Sequence, residues 1–565
     1  MHRFPRPGHV QGGSAGSRRW RTLLLSVSTV AVVAGSFVQI QSSAAAPNAR
    51  SLGGREGSWY VPGEVLVRFR DDVSAAAMSE AHDAVGAEVR TTFAIVPNLQ
   101  LVHLTSSADV VDAVARYTAR AEVLYAEPNM RLWIDDVDLT PNDPLYPSMW
   151  NLNNTGQTGG TPDADIDAPE AWKRSTGSPT VAVGVIDTGI DYTHEDLAAH
   201  AMPNAAECSG AAGVDDDANG YVDDCHGIDP FNGDSDPMDD HDHGSHTSGT
   251  IGAVGNNGIG VTGINWDVQI VACKSHNLAG AGTEAAVIEC LQYMEIMKAE
   301  GLNIVATNNS YGGCPEACAF SQAFEDAIRS NMEEGILFVA SAGNDGTDND
   351  EVFKFPTNYF VPNVISVAAT DHDDALASFS EWGRRSVDLG APGVDVLSTV
   401  IGGYAEFSGT SMASPHVTGL AALLEAQQPA RDWRVIRNLI LTGGDAIPSL
   451  NGLTVTGRRL NANGSMTCRR GAVTSALEPL GQSAVPVILA AINIQCAKPS
   501  RSSVSVTVSP GGATIALVDT GTGADEVAKD GIFTGTWAPF PCVPGTYTFA
   551  YSFGQSTQSV VTCAP

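Results

Sequence analysis

The chain has 565 residues, of which 43% are hydrophobic, and a formal net charge of −33. This length is too great for one hydrophobic core and indicates two to four domains, and the composition is that of a folded globular protein. The negative charge argues against binding to nucleic acid or to an anionic membrane surface. An acidic, solvated surface is the simpler interpretation of the charge, and part of the carboxylate excess is available to bind calcium.

The N-terminal segment, residues 1–46, has the features of a secretory signal peptide. Arg18, Arg19 and Arg21 precede an apolar run over residues 23–38, and small residues close the segment. A membrane anchor is the alternative, but serine, threonine and glycine within the run make it a poor permanent span. We therefore predict a secreted, extracellular protein with no permanent membrane span.

Residues 47–139 are predicted to form a small α+β domain. A strand follows a Pro-Gly turn, two segments have helical spacing, and a second strand closes the domain. These elements lie over residues 61–69, 75–85, 110–121 and 121–128.

Residues 140–466 are predicted to form an α/β domain in which a parallel sheet is flanked by helices. Short apolar runs rich in Val, Ile and Ala alternate with helical patterns, which is typical of strands buried on both faces. The runs lie at residues 181–186, 269–273, 304–308, 336–340 and 364–368. An Ala- and Leu-rich helix is expected from Ser411 to about residue 427.

Residues 467–565 are predicted to form an all-β sandwich domain. Five segments alternate as antiparallel strands do, namely 504–508, 514–518, 531–537, 547–553 and 559–563. Asp519, Asp525 and Asp530 could bind an ion, although aspartates between strands are more often turn residues.

Three motifs in the α/β region supply the groups of a serine hydrolase. They are Val-Ile-Asp-Thr-Gly around Asp187, His-Gly-Ser-His beginning at His243, and Gly-Thr-Ser-Met-Ala-Ser-Pro-His around Ser411. A nucleophilic serine needs an imidazole to take its proton, and the imidazole needs a carboxylate to orient it. With these motifs in the order Asp, His, Ser, residues 142–464 resemble the subtilisin-like serine protease family.

The resemblance implies a role for each group. Ser411 is the nucleophile, His243 the general base and Asp187 its orienting carboxylate, while the side-chain amide of Asn344, in Ala-Ser-Ala-Gly-Asn, donates to the oxyanion. Taken alone, an aspartate at a strand end is commonly a turn residue, and a serine at a helix start is commonly a cap. The eight-residue match around Ser411 argues against that reading.

The resemblance also implies how a polypeptide substrate binds. Two segments would pair with an extended peptide strand: Gly280, Ala281 and Gly282, and Ser310, Tyr311 and Gly312. Glycine-rich segments are otherwise plain loops. Asp345 and Lys354 fall near the pocket for the residue at the cut, and their opposite charges leave its preference open.

A first Ca²⁺ site is implied at the start of the α/β domain. The side chains of Asp143, Asp196 and Asn257 and the carbonyls of Ile259 and Val261 would supply its oxygen ligands.

A second Ca²⁺ site is suggested by an acidic loop. It places oxygens at Asp215, Asp217, Asn219 and Asp223, with a glycine at position six, as in most of an EF-type loop that lacks the closing glutamate. The alternative is a solvated acidic loop.

The small domain at residues 47–139 resembles the inhibitory propeptide of the family, through Val-Pro-Gly-Glu-Val-Leu-Val at its start and Tyr-Ala-Glu-Pro-Asn at its end. An accessory domain unrelated to inhibition is the alternative. The expected partners are polypeptide substrates and the chain's own propeptide, and we expect a monomer.

Ten cysteines in an exported chain indicate disulfide bonds. Pairing between sequence neighbours is the simplest arrangement, and buried free thiols are an equal alternative for Cys273 and Cys290. The pairs are Cys208–Cys225, Cys273–Cys290, Cys314–Cys318, Cys468–Cys496 and Cys542–Cys563.

The leading hypothesis is a secreted serine endopeptidase made as a self-processing precursor. A non-peptidase hydrolase would share the three catalytic groups without needing the strand-pairing segments. A binding or inhibitory pseudoprotease would be expected to have lost one of the three groups, and all are present.

Overall fold

The computed structural model describes residues 60–105, 110–130, 139–201, 203–312, 320–477 and 486–562. The predicted signal peptide lies outside the described residues. The chain forms two compact units, residues 1–131 and 132–565. No helix within the described ranges is long and apolar enough to cross a membrane.

The first unit contains an antiparallel sheet and two helices, as predicted. Its elements are β1 (Tyr60–Phe69), α1 (Ala75–Val85), β2 (Ala87–Phe93), β3 (Leu99–Leu104), α2 (Val110–Thr118) and β4 (Val123–Met130). The strands are ordered β2-β3-β1-β4. The hydroxyl of Ser74 caps α1 by accepting the N–H of Ala77, and Gly86 ends the helix with φ 79°.

The second unit is built on a nine-stranded sheet, counted over the described residues. Its strands and a neighbouring hairpin are β5 (Gly177–Asp187), β6 (Gly227–Ile228), β7 (Asp267–Lys274), β8 (Ile304–Asn309), β9 (Leu337–Ser341), β10 (Val364–Thr370), β11 (Leu389–Pro392), β12 (Val396–Val400), β13 (Gly403–Phe407), β14 (Asp445–Ala446) and β15 (Arg458–Arg459). The order is β14-β15-β11-β10-β9-β8-β5-β7-β6, and all pairs are parallel except β14–β15. β12 and β13 form the separate antiparallel hairpin. The predicted parallel sheet is confirmed, and its five predicted strands are β5 and β7 to β10.

Helices surround this sheet. They are α3 (Ala168–Trp172), α4 (Ala205–Ser209), α5 (His243–Gly252), α6 (Glu284–Ala299), α7 (Gln322–Glu333), α8 (Thr410–Gln427), α9 (Trp433–Gly443) and α10 (Ala462–Thr467). The small and apolar residues of α8 pack against β5, β8, β9 and β10, so nearly all of this helix is buried. Its first turn is thereby held beneath the carboxyl ends of the central strands.

The end of the chain forms the predicted β-sandwich. Its strands are β16 (Ala472–Leu477), β17 (Val487–Gln495), β18 (Lys498–Pro499), β19 (Val504–Ser509), β20 (Thr514–Leu517), β21 (Ile532–Trp537), β22 (Gly545–Tyr551) and β23 (Ser556–Val561). One antiparallel sheet joins β16, β17, β18 and β21, and the other has the order β20-β19-β22-β23. The two sheets share a core that includes Val506, Trp537 and Phe549.

Three disulfide bonds are present in the described residues, and each joins a predicted pair: Cys208–Cys225, Cys273–Cys290 and Cys468–Cys496. The second bond links β7 to α6, so these two cysteines are not free thiols. Cys314, Cys318 and Cys563 lie outside the described residues.

Candidate active site

The three residues of the predicted catalytic group lie at one edge of the parallel sheet. Asp187 is the last residue of β5, which is paired with β7 and β8 on either side. His243 is the first residue of α5, and Ser411 is the second residue of α8. Sites in open α/β folds commonly form at the carboxyl ends of the strands, where these elements begin and end.

Asp187 and His243 are directly hydrogen-bonded. Nδ1 of His243 lies 2.7 Å from Oδ1 of Asp187. The N–H of Thr188 donates to the same oxygen at 2.8 Å, and the hydroxyl of Thr247 donates to Oδ2 at 3.3 Å. These bonds fix a carboxylate that is only 3% exposed.

The two groups stabilise each other's charged forms. Burial opposes ionisation of Asp187, but the charge of His243 and the hydrogen bond from it hold the pKa of Asp187 below its ordinary value. Burial likewise disfavours protonated His243, but the charge of Asp187 outweighs it and raises the pKa of His243. The arrangement therefore favours an imidazole that can take and hold a proton.

The hydroxyl of Ser411 is bonded to a neighbouring carbonyl rather than to this pair. Its hydroxyl donates to the carbonyl of Ser310 at 3.1 Å, and within the described residues it makes no hydrogen bond with His243. Ser411 lines a cleft of about 240 Å³ that shares Tyr311 and Gly312 with a larger cleft of about 500 Å³, which Asp187 and His243 line. Catalytic hydrogen bonds are often absent or long before substrate binds, and they form in the complex.

The side chain of Asn344 is oriented by Thr410. Its Oδ1 accepts the N–H of Thr410 at 2.9 Å and the hydroxyl of Thr410 at 3.0 Å. Its Nδ2 has no hydrogen-bond partner in the described part of the chain, and Asn344 lines the same cleft as Ser411. The amide thus offers its N–H groups to a ligand in the cleft.

The two predicted substrate-pairing segments line the larger cleft together. It is bounded by Gly280, Ala281 and Gly282 and by Ser310, Tyr311 and Gly312. The hydroxyl of Ser310 donates to the carbonyl of Ser411 at 2.9 Å and lies 2.7 Å from the hydroxyl of Ser414. Ser310 therefore also fixes the first turn of α8.

Two residues that sequence reasoning missed lie at the site. His276 lies two residues after β7 and lines the larger cleft, and burial lowers its pKa. Glu381 is fully buried and pairs with Lys354 at 3.2 Å, while Lys354 also pairs with Asp345. Lys354 and Asp345 line the smaller cleft as expected, but Glu381 comes from a distant part of the chain with no motif to mark it.

The residues of the first predicted calcium site are close together. Asp143 accepts the N–H groups of Asn256 at 2.7 Å and Asn257 at 3.4 Å, and Asp196 accepts from the Asn257 side chain at 2.7 Å and from the N–H of Val261 at 2.9 Å. Burial raises the pKa of both carboxyls, and that of Asp143 is raised further by Asp196. The N–H of Ile259 donates to Oδ1 of Asn257 at 2.7 Å. Residues 257–261 are therefore held to Asp143 and Asp196 by hydrogen bonds.

The second predicted site contains a different group of carboxylates from the one the spacing suggested. Glu207, Asp217 and Asp224 each place one oxygen within 4.8 Å of the others. The predicted ligands Asp215 and Asp223 are not in this group and accept backbone N–H groups of the loop, as Glu207 also does, and Asn219 donates to Asp224 at 2.9 Å. The Cys208–Cys225 bond brings Glu207 and Asp224 together, since each immediately precedes one of these cysteines.

The sequence is similar to known protein families and to known proteases. A family model described as "Subtilase family" matches residues 178–457, and one described as "Fervidolysin N-terminal prodomain" matches residues 46–129. The thermophilic serine proteinase of Bacillus sp. (strain AK1) is 34% identical over 373 residues, which cover 65% of this chain and 79% of that protein.

Two further matches cover different proportions of this chain and of the matched protein. Subtilisin-like protease 1 of Plasmodium berghei is 33% identical over 297 residues, which are 49% of this chain and 48% of that protein, so the chain spans about half the length of that relative. Among solved structures, a protease from Pseudoalteromonas arctica is 25% identical, with 58% of this chain and 99% of that chain covered and a TM-score of 0.46.

The chain belongs to the subtilase family. It is a subtilisin-like serine endopeptidase with an N-terminal prodomain. The family and the fold class predicted from the sequence are confirmed.

Proposed function

We propose that this endopeptidase cleaves polypeptides with Ser411 as nucleophile, His243 as general base and Asp187 as the carboxylate that orients the base. The observation that carries the proposal is the 2.7 Å bond between His243 Nδ1 and Asp187 Oδ1. That bond places the Nδ1 proton toward the carboxylate and leaves Nε2 free to take the proton of the serine.

The reaction proceeds in two halves. Ser411 Oγ attacks the peptide carbonyl as its proton passes to His243, and the resulting oxyanion is held by Nδ2 of Asn344 and the N–H of Ser411. His243 then protonates the leaving amine, and water hydrolyses the acyl-enzyme by the same route in reverse. The beginning of α8 adds the positive end of its dipole to this environment.

The substrate is an extended peptide. The segments at residues 280–282 and 310–312 lie along one cleft, which supports pairing of a peptide strand between them. Such pairing uses backbone groups on both sides of the cut bond, as an endopeptidase requires.

Hydrolysis of unfolded casein tests the function. The purified mature protein is expected to release internal fragments that mass spectrometry identifies. A chain that binds casein but leaves it intact would instead be a catalytically silent binding protein.

Asn344→Ala should lower kcat with little change in KM, because the lost hydrogen bond strengthens as the oxyanion forms. In subtilisin, the relative in which the figure was measured, losing this donor costs about 2.7–4 kcal/mol of transition-state stabilisation. Steady-state kinetics on a peptide substrate measures the effect. A variant that only raises KM would contradict the role.

We further propose that the protein is secreted as a precursor, with a signal peptide at residues 1–46, a propeptide at 47–139, a peptidase domain at 140–466 and a sandwich domain at 467–565. The prodomain match supports the propeptide. Ser411 is proposed to remove the propeptide of its own chain, which resembles an inhibitory propeptide.

A Ser411→Ala precursor should therefore remain unprocessed and keep its chain from about residue 47 onward. Intact-mass measurement and N-terminal sequencing of protein purified without other proteases check this expectation. Maturation of this variant to a start near residue 142 would show that another enzyme does the processing.

Calcium is proposed to bind at both acidic loops, with Asp143, Asp196, Asn257 and the carbonyls of Ile259 and Val261 at the first. At the second, the structure favours Glu207, Asp217 and Asp224 as the binding group. In each loop the carboxylates repel one another unless a cation lies between them.

Chelation should lower the melting temperature of the mature protein. A cation that binds only the folded state adds about 2.7 kcal/mol at a hundredfold excess over its dissociation constant. Asp196→Asn should remove part of the calcium response, whereas Glu195→Gln, its exposed neighbour, should retain it in full. Identical melting curves in calcium and in chelator would contradict both sites.

A further inference from the structure

A third group of carboxylates lies in the sandwich, far along the chain from both loops above. Asp519, Asp525 and Asp530 all belong to the connection between β20 and β21, and one oxygen from each lies within 4.8 Å of the others. Asp525 and Asp530 are buried, at 4% and 1% exposure. Buried like charges at this spacing repel one another strongly unless a cation compensates them.

One oxygen of this group is buried without any partner. Asp530 Oδ1 accepts the N–H of Ile532 at 2.8 Å, but Oδ2 has no hydrogen bond and no solvent contact in the described chain. Asp525 and Asp530 line a cavity of about 100 Å³, and Thr534, which also lines it, has a buried hydroxyl with no partner. Two buried oxygens without partners thus belong to residues that line one small cavity.

Nearby protein cations do not account for these oxygens. Arg437 is buried near Asp530 and favours its ionised form, but the two make no ion pair within 4.0 Å. Arg329 lines the cavity, but its guanidinium pairs with Glu526 and Glu325.

The same connection holds the sandwich against the peptidase domain. Nδ2 of Asn438, on α9, donates to the carbonyl of Asp530 at 3.0 Å, and Arg434 of the same helix donates to the carbonyl of Ala528 at 2.8 Å. The pair between Arg329 and Glu526 joins it to α7. Ordering of this connection therefore orders the contact between the two domains.

We propose that Asp519, Asp525 and Asp530 bind a calcium ion that fixes the connection between β20 and β21 and thereby the sandwich against α7 and α9. All available ligands are hard oxygens, and no histidine or cysteine belongs to the group, which favours Ca²⁺ over Zn²⁺. The site lies in the sandwich and needs neither the catalytic residues nor the two proposed calcium loops of the peptidase domain.

Calcium content and hydrogen exchange test this site in the full chain carrying Ser411→Ala, which prevents self-digestion. After equilibration in millimolar calcium, Asp525→Asn and Asp530→Asn should each bind one calcium ion fewer per chain than the parent. Glu526→Gln, the same charge change in the same connection but outside the group, should bind as many as the parent. Amide exchange at residues 519–531 in the parent should be slower in calcium than in EGTA.

Equal calcium content in the aspartate variants and the parent would overturn the proposal. So would unchanged exchange at residues 519–531 between calcium and EGTA, a comparison that does not depend on whether either variant folds. Equal protection by magnesium alone would overturn the assignment to calcium.

Discussion

Ser411→Ala is expected to abolish peptide hydrolysis, with kcat lowered by about a million-fold. That figure was measured for removal of the nucleophile in subtilisin, a relative of this chain. The neighbouring hydroxyl of Thr410, the first residue of α8, is bonded to Oδ1 of Asn344 at 3.0 Å, whereas Ser411 lines the cleft. Kinetics should be measured on variant protein whose propeptide has been removed by added wild-type enzyme and which has then been repurified, so that inhibition by the propeptide does not mimic the loss.

Ser408→Ala provides the matched control. Ser408 lies three residues before Ser411, and its hydroxyl bonds Asp395 at 3.0 Å rather than any catalytic group. This variant should keep most of the wild-type activity. Substantial turnover by processed Ser411→Ala protein would place the nucleophile elsewhere.

Asp187→Ala should lower kcat by about 10⁴-fold, close to the loss known for the corresponding change in subtilisin. The change removes the acceptor that orients His243 and the negative charge that stabilises its protonated form. Because that charge raises the pKa of His243, the acidic limb of the kcat/KM profile, where His243 becomes protonated, should move to lower pH in the variant.

Asp242→Asn is the control for Asp187→Ala, because it removes one negative charge next to His243 without removing the carboxylate that is bonded to it. Asp242 precedes His243 and accepts the N–H of Ile401 at 3.0 Å, and its positive φ of 78° is one that asparagine adopts readily. It should lose far less activity than Asp187→Ala. A comparable loss, or an unmoved acidic limb in Asp187→Ala, would contradict the role given to Asp187.

The catalytic residues could be predicted because each lies in a short contiguous motif at the end of a strand or the start of a helix. The apolar runs that identified β5 and β7 to β10 are continuous because these strands are buried on both faces. The bond from the Ser411 hydroxyl to the carbonyl of Ser310, by contrast, is not encoded by any sequence pattern.

The strand β17 was missed for a physical reason. Ala490, Ile492 and Ile494 pack into the core of the peptidase domain, while Val487 and Leu489 pack into the core of the sandwich. Both faces are apolar, so the strand lacks the alternation by which its neighbours were identified. Because β17 contacts both domains, its sequence does not show the alternation of apolar and polar residues that predicts a strand with one exposed face.

The acidic groups were predicted only in part, because spacing along the chain is a weak guide to which carboxylates converge. Glu207 lies outside the predicted loop, and the Cys208–Cys225 bond next to it brings it close to Asp224. Glu381 and Lys354 lie apart in the chain and form an ion pair only in the fold. Contacts of this kind can be identified only from the folded structure.

Covalent labelling with a fluorophosphonate tests the central claim most directly, because the reagent reacts with a serine only when a neighbouring base activates it. Wild-type protein should carry one adduct, located by peptide mass spectrometry on Ser411, and Asp187→Ala should label much more slowly. Undiminished labelling of Ser411→Ala, or an adduct on another serine of the active enzyme, would contradict the assignment of Ser411, His243 and Asp187.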